Sequence, residues 1–192
     1  MQVLKDEVRN NLIEAATEEF LAEGYNNSSL RIIASKAGMT IGNIYSYFSS
    51  KDNLFETVID PALKGLKSLI SLDVTGYESK DQPSLIEITE EICQVFMANK
   101  RGFLILMNGS KGSQFKDIRQ DIIDFISDRI EREIYPRASS AQMDPLFAKA
   151  LASGIVSSFI TVFNNYGGDE GRLFYLVNEL IYVVLGNIES RL

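Results

Sequence analysis

The sequence predicts an all-α protein of about nine helices, and three observations lead there. Apolar residues return at spacings of three and four through most of the chain, which is the period of one face of a helix. No stretch of useful length alternates apolar with polar residues as a half-buried strand does, and no repeat or low-complexity tract appears. Turn-forming clusters at Gly109–Gly112, Pro136 and Gly167–Gly168 separate the periodic stretches. The pattern predicts a three-helix domain over residues 1–50, containing a helix-turn-helix, and a helical body over 51–192.

The first helix is expected from Lys5 to Glu23. Val8, Leu12, Ala15, Ala16 and Phe20 form its apolar stripe, with Glu14, Glu18, Glu19 and Glu23 opposite. Residues Ser28 to Lys51 then read as two short helices around a glycine turn. Ser28 suits the start of the first, since its hydroxyl can accept an unpaired helix N–H. Leu30, Ile33, Ala34 and Ala37 share one face. Gly38 can turn the chain through a left-handed conformation without steric cost. Thr40 caps the second helix, about nine residues long, from which Ile44 and Phe48 point inward. Ile41, Asn43, Ser46 and Tyr47 are left facing out, and that face is too polar to be simple core.

At these residues the chain resembles the DNA-binding domain of the TetR family of transcriptional regulators. The resemblance runs from about Leu12 to Leu54. It rests on Ala15-Ala16, Phe20, Gly24-Tyr25, Ile33-Ala34, Ala37-Gly38, Gly42, Tyr45-Ser46-Tyr47-Phe48 and Lys51. Ser28 stands where threonine is more usual, and Ser29 and Met39 are common variants. With the second helix laid in the major groove, its first turn faces the base edges. Ile41, Gly42 and Asn43 are then the base-reading candidates. Asn43 can pair bidentately with adenine, and Ile41 can pack on a thymine methyl. Gly42 lets the helix backbone approach the duplex, against the plainer reading of a tolerated poor helix former.

The resemblance implies phosphate contacts from Thr40, Tyr45 and Tyr47, although Tyr45 is also readable as half-buried packing. Lys51 stands at a helix N-terminus, where the ammonium and the dipole both favour an anion. Ser28 and Arg31 complete the expected contact set, with Arg31 and Lys36 equally readable as solvated surface. Two copies related by a two-fold axis would enter successive major grooves about 34–36 Å apart, so the double-stranded operator is expected to be an inverted repeat.

Ser50 caps a fourth helix, from which Leu54, Phe55, Val58 and Leu66 point inward. Pro61 lies inside it and should kink it, either as two helices meeting there or as a lever joining the first domain to the body. Asp73 to Pro83 reads as a loop. Further helices are expected over Ser84–Asn99, Lys100–Asn108, Gln114–Tyr135, Pro145–Tyr166 and Asp169–Arg191. In the penultimate one Ala150, Gly154, Ser157, Ser158 and Thr161 form a stripe of small residues. In the last, Leu173, Leu176, Val177, Leu180, Val183, Val184 and Ile188 cover more than one face and need a second surface. That surface is either ordinary core or the matching helices of a second copy.

The resemblance implies the second copy: a homodimer with Gly154, Ser157, Ser158, Thr161, Leu176, Leu180, Val183 and Val184 at the interface. It also implies a small-molecule effector site in the body, with repression as the usual mode. Phe96, Phe103, Met107, Phe125, Phe159 and Phe163 are the candidate lining, though an aromatic stripe at this spacing equally describes plain core. No cluster of like charge stands out there, so an uncharged or mostly apolar effector is expected.

With no histidine, no tryptophan and one cysteine, the chain lacks the usual parts of a zinc site, a Cys-His nucleophile or a His acid–base pair. No catalytic residue, cofactor or metal is expected. The acid pair Glu90-Glu91 points apart on a helix. Cys93 reads as a buried small hydrophobe, and a single cysteine suits a reducing cytosol.

The N-terminus lacks the pattern of a secretory signal. Leu173 to Ile188, broken by Asn178 and Glu179, falls short of the roughly 20 apolar residues of a membrane span. A soluble, cytoplasmic protein with no membrane partner is expected. The net charge is −7, yet Gly24 to Lys51 carries +3, which leaves −10 on the remainder. Such a body presents one positive face to DNA and limits nonspecific binding. The alternative is an all-α small-molecule-binding or interaction protein without specific DNA binding, for which the low basicity leaves room.

Overall fold

Among residues 2–72, 84–137 and 144–185, which the computed structural model describes, the periodic stretches fold as nine α-helices and no strand. These are α1 (Gln2–Asn27), α2 (Leu30–Lys36), α3 (Ile41–Tyr45), α4 (Lys51–Ile70), α5 (Leu85–Ala98), α6 (Lys100–Gly109), α7 (Ile118–Arg129), α8 (Pro145–Asn165) and α9 (Glu170–Leu185). The expected loop over 73–83, most of the segment after Pro136, and Ile188 lie outside the described residues. The helices group into two compact units. The first takes the chain up to Leu66 with Asn99–Ile118, and the second takes the described residues of Lys67–Ala98 and from Arg119 onward.

In the first unit the α1 stripe is buried at Leu12, Ala15, Ala16 and Phe20, as its spacing predicts. The Phe55 ring of α4 meets Phe20 and Tyr25 edge-on, at centroid distances of 4.9 and 5.0 Å. These are the offset geometries that aromatic quadrupoles favour. At Gly24 the backbone leaves the helix, with φ 69° and ψ 173°. There α1 touches α6: a Cβ on Gly24 would stand 3.3 Å from the Gly109 carbonyl oxygen. Short, apolar α6 was expected in the body, but it packs on α1 and completes the core beneath the helix-turn-helix.

Helix α4 is continuous from Lys51 to Ile70 with Pro61 inside it, so two helices meeting at Pro61 is not what forms. Pro61 is exposed, and the carbonyl left without an N–H partner one turn earlier can be met by water.

In the second unit Phe96 of α5 stacks on Phe163 of α8, with centroids 4.0 Å apart and planes 9° from parallel. Tyr166 closes on Phe96 edge-on at 5.9 Å. Helix α5 opens with a reciprocal capping box: the Ser84 N–H donates to Glu87 at 2.6 Å, and the Glu87 N–H donates to the Ser84 hydroxyl at 3.2 Å. Cys93 is half-buried, and burial pushes its thiol up to about 11, so it is protonated and inert at neutral pH.

The expected long helix to Tyr135 is α-helical only to Arg129. It continues as a π-helical turn, Ile130–Ile134, before Pro136, whose missing N–H cannot extend an α ladder.

Helix α8 starts at Pro145, with Asp144 accepting the Leu146 N–H at 2.8 Å. Among the described residues it, and not the Leu173–Ile188 stretch, is long and apolar enough to cross a membrane by length and composition. That corrects where the sequence reading looked for a span. Four of its polar side chains bond to its own backbone: Ser158, Thr161, Asn164 and Asn165 each donate to the carbonyl four residues earlier.

Candidate nucleic-acid interface

The helix-turn-helix is fixed from within by side chains the sequence reading had assigned elsewhere. Ser28 is buried, and its hydroxyl donates to the Tyr25 carbonyl at 2.8 Å. It therefore does not cap α2, as had been expected of it. Ser29 holds the cap position in an extended conformation with no side-chain cap. Its N–H instead donates to Glu19 Oε1 of α1 at 3.2 Å.

Glu19, expected on the solvent side, is only 3% exposed and also pairs with Lys36 at 3.1 Å. Its spacing carried the signal: it lies seven residues after Leu12 and four after Ala15, on the same helical face. Removing a buried acceptor orphans both donors. Glu19→Ala is therefore expected to cost about 2–3 kcal/mol in urea unfolding, against less than about 1 for Lys36→Ala at its more exposed end. Equal effects would mean that the carboxylate does not organise this corner.

The turn follows Gly38, at φ 68°. The Gly38 N–H donates to Ser35 O at 3.0 Å and the Met39 N–H to Ala34 O at 2.8 Å, the paired bonds that close a helix on a left-handed residue. From α1, the Asn11 amide adds a bond to Ala37 O at 3.2 Å. Helix α3 is shorter than the nine residues expected: five, Ile41–Tyr45. It tightens at once, with Tyr47 and Phe48 N–H both directed at Ile44 O, each 2.9 Å away. Ile44 and Phe48 are buried.

The opposite side of α3 is exposed: Ile41 at 44%, Tyr45 at 56%, with Gly42, Asn43 and Thr40 beside them. Thr40 makes no side-chain cap; its hydroxyl donates to Asn43 Oδ1 at 2.7 Å. That contact orients the amide while a second lone pair and both N–H donors stay available. Tyr47 is half-buried. A Cβ on Gly42 would meet nothing closer than Thr40 Oγ1 at 3.7 Å, so the fold itself places no demand for glycine there.

Arg31 is exposed. Lys51 is not free at its helix N-terminus. Its ammonium donates to the Ser28 carbonyl at 2.7 Å and lies 4.5 Å from the Tyr25 ring centroid. Burial lowers its pKa, opposed by the charges of Asp52 and Glu19. The Tyr25 hydroxyl donates to Asp52 at 2.7 Å, and burial, then that bond and charge, push its pKa up to about 12.

The six candidate effector-lining residues divide between the units. Phe103 and Met107 are buried in the first; Phe96, Phe125, Phe159 and Phe163 belong to the second. Phe96, Phe159 and Phe163 pack ring on ring. Phe125, 39% exposed, borders a groove of about 430 Å³ with Ile70, Ser71, Leu72, Arg129, Arg132 and Glu133. This rim carries charged side chains beside the apolar Ile70, Leu72 and Phe125. Arg129 is tied to Glu133 at 2.8 Å and to Leu72 O at 2.9 Å, and Arg132 pairs with Asp128. On α8 and α9, Gly154, Ser157, Thr161 and Val183 are exposed, while Ser158, Leu176, Leu180 and Val184 are half-buried.

Residues 12–58 match the family model described as bacterial regulatory proteins, tetR family. Over 54 residues the chain is 39% identical to the HTH-type transcriptional regulator SrpR of Pseudomonas putida, covering 28% of this chain and 25% of SrpR. Over 56 residues it is 41% identical to the HTH-type transcriptional repressor BepR of Brucella suis, covering 29% of this chain and 27% of BepR. The chain thus matches about a quarter of the length of these two relatives. The fold is similar to that of a TetR family transcriptional regulator from Chloroflexus aurantiacus, with a TM-score of 0.68 at 16% identity over 96% of this chain and 92% of the other. Residues 12–58 of this chain thus carry the helix-turn-helix segment of the tetR family of bacterial regulatory proteins, on an all-helical architecture similar to that of a TetR family regulator.

Proposed function

We propose that this chain is a DNA-binding transcription regulator, acting as a repressor that binds an inverted-repeat operator as a homodimer and leaves it when a small molecule occupies the body. The observation that carries the reading is the outer side of α3. A glycine with no internal duty sits between Ile41, a match for a thymine methyl, and Asn43, whose amide is already oriented. Gly154 supports the dimer in a parallel way, since a Cβ there would meet nothing within 4 Å. The self-bonded polar groups around it suit burial against another apolar surface.

The mixed rim of the groove beside Phe125 favours an effector with a polar end over a purely apolar one. Selection of bound duplexes from a random pool tests the reading. Enrichment of two inverted half-sites about one helical turn apart supports it. A pool that stays random favours an all-α binding protein without specific DNA recognition.

A further inference from the structure

We propose that Thr40 is a specificity-determining positioning residue, whose hydroxyl presets the Asn43 amide so that α3 selects adenine at one operator position. The inference rests on the DNA-binding reading above. Thr40 stands at the N-cap of α3 in an extended conformation, with φ −92° and ψ 159°. A threonine there ordinarily turns its hydroxyl to accept a first-turn N–H, a bond that stabilises the start of a helix. Thr40 does not make it. The Asn43 N–H bonds to the Thr40 carbonyl at 3.0 Å instead, and the hydroxyl donates to Asn43 Oδ1 at 2.7 Å. A helix of five residues thus forgoes a cap, and the group released holds a side chain on its exposed side. A local rule broken where a surface is set for binding points to function before stability.

The bond discriminates among the base edges Asn43 could meet. In the major groove adenine offers an N6–H donor beside the N7 acceptor, whereas guanine offers two acceptors, N7 and O6. With one Oδ1 lone pair taken by Thr40, the amide keeps one lone pair and two N–H groups. Adenine needs one of each. Set bidentately against guanine, the held carbonyl oxygen would face O6, lone pair against lone pair. Without the bond the amide turns about a broad torsion, and that freedom is lost only when the base is met. Among the described residues Thr40 is the one side chain bonded to this amide. Thr40, Gly42 and Asn43 are all exposed, and a Cβ on Gly42 would meet nothing but the Thr40 hydroxyl oxygen within 4 Å. The amide is therefore oriented from one side only, by one group.

The test uses the full chain and a duplex selected by it from a random pool, with all four base pairs placed in turn at each half-site position. Asn43→Ala should abolish the preference at one position, and the base preferred there by the parent should be adenine. Thr40→Val keeps the shape and removes the hydroxyl. It should lower the preference at that position by about threefold to tenfold, leave the other positions unchanged, and add nothing once Asn43 is alanine. Thr40→Ser, which keeps the hydroxyl, should keep the preference. A Thr40→Val chain with the parental preference, however weakly it binds, would overturn the proposal and leave Thr40 a contact to the DNA backbone. An Asn43→Ala chain that loses preference nowhere, or a preferred base other than adenine, would overturn it too. A parent chain that enriches no duplex overturns the DNA-binding reading itself, and that failure is visible before any variant is made.

Discussion

Gly24→Ala is expected to destabilise the first unit by about 3 kcal/mol, the largest stability loss for the removal of no interaction at all. Two costs coincide. The backbone at φ 69° and ψ 173° lies where side chains are strained by about 1–3 kcal/mol. The added methyl would also stand 3.3 Å from Gly109 O and 3.4 Å from Gly109 Cα. Those are backbone atoms, and α6 would have to back away from α1 to relieve the contact. Gly38→Ala separates the costs, because Gly38 has nearly the same φ of 68° but nothing within 4 Å of the new Cβ. It should lose only about 1–2 kcal/mol. Urea unfolding of both variants gives the comparison, and equal losses would mean that the α1–α6 contact is not tight.

Gly42→Leu should have the opposite profile. The space around Gly42 is open apart from Thr40 Oγ1 at 3.7 Å, and leucine is a better helix former than glycine by about 0.8–1 kcal/mol. The folded chain should be as stable as the parent or slightly more so. Binding to a selected duplex should nevertheless fall by more than about 100-fold, because a side chain would hold the helix away from base edges that discriminate at about 1–3 kcal/mol each. A Gly42→Leu chain that binds as the parent does would remove α3 from the groove.

The readable part of this protein was its periodicity. Spacing alone placed Leu12, Phe20, Ile44 and Phe48 inward and put the turn at Gly38, and each is where the structure has it. What spacing does not convey is which neighbour a buried face meets. Helix α6 looks like any short apolar helix, and only its fit against Gly24 assigns it to the first unit. Charge misled for a related reason. Glu19 reads as solvated surface and Lys51 as a phosphate contact, but each also bonds within the fold to a distant part of the chain. The aromatic residues of the body were legible as apolar and not as lining or core, because a ring against another ring and a ring against a ligand have the same sequence spacing.

Which atoms meet the duplex decides whether α3 is the DNA-reading helix. Amide chemical-shift mapping of the isotopically labelled chain, titrated with a selected duplex, answers that most directly. Shifts concentrated at Arg31 and Thr40 to Tyr47 are the predicted result. A duplex that binds while those amides stay still, with the changes falling on α8 and α9 instead, would contradict it.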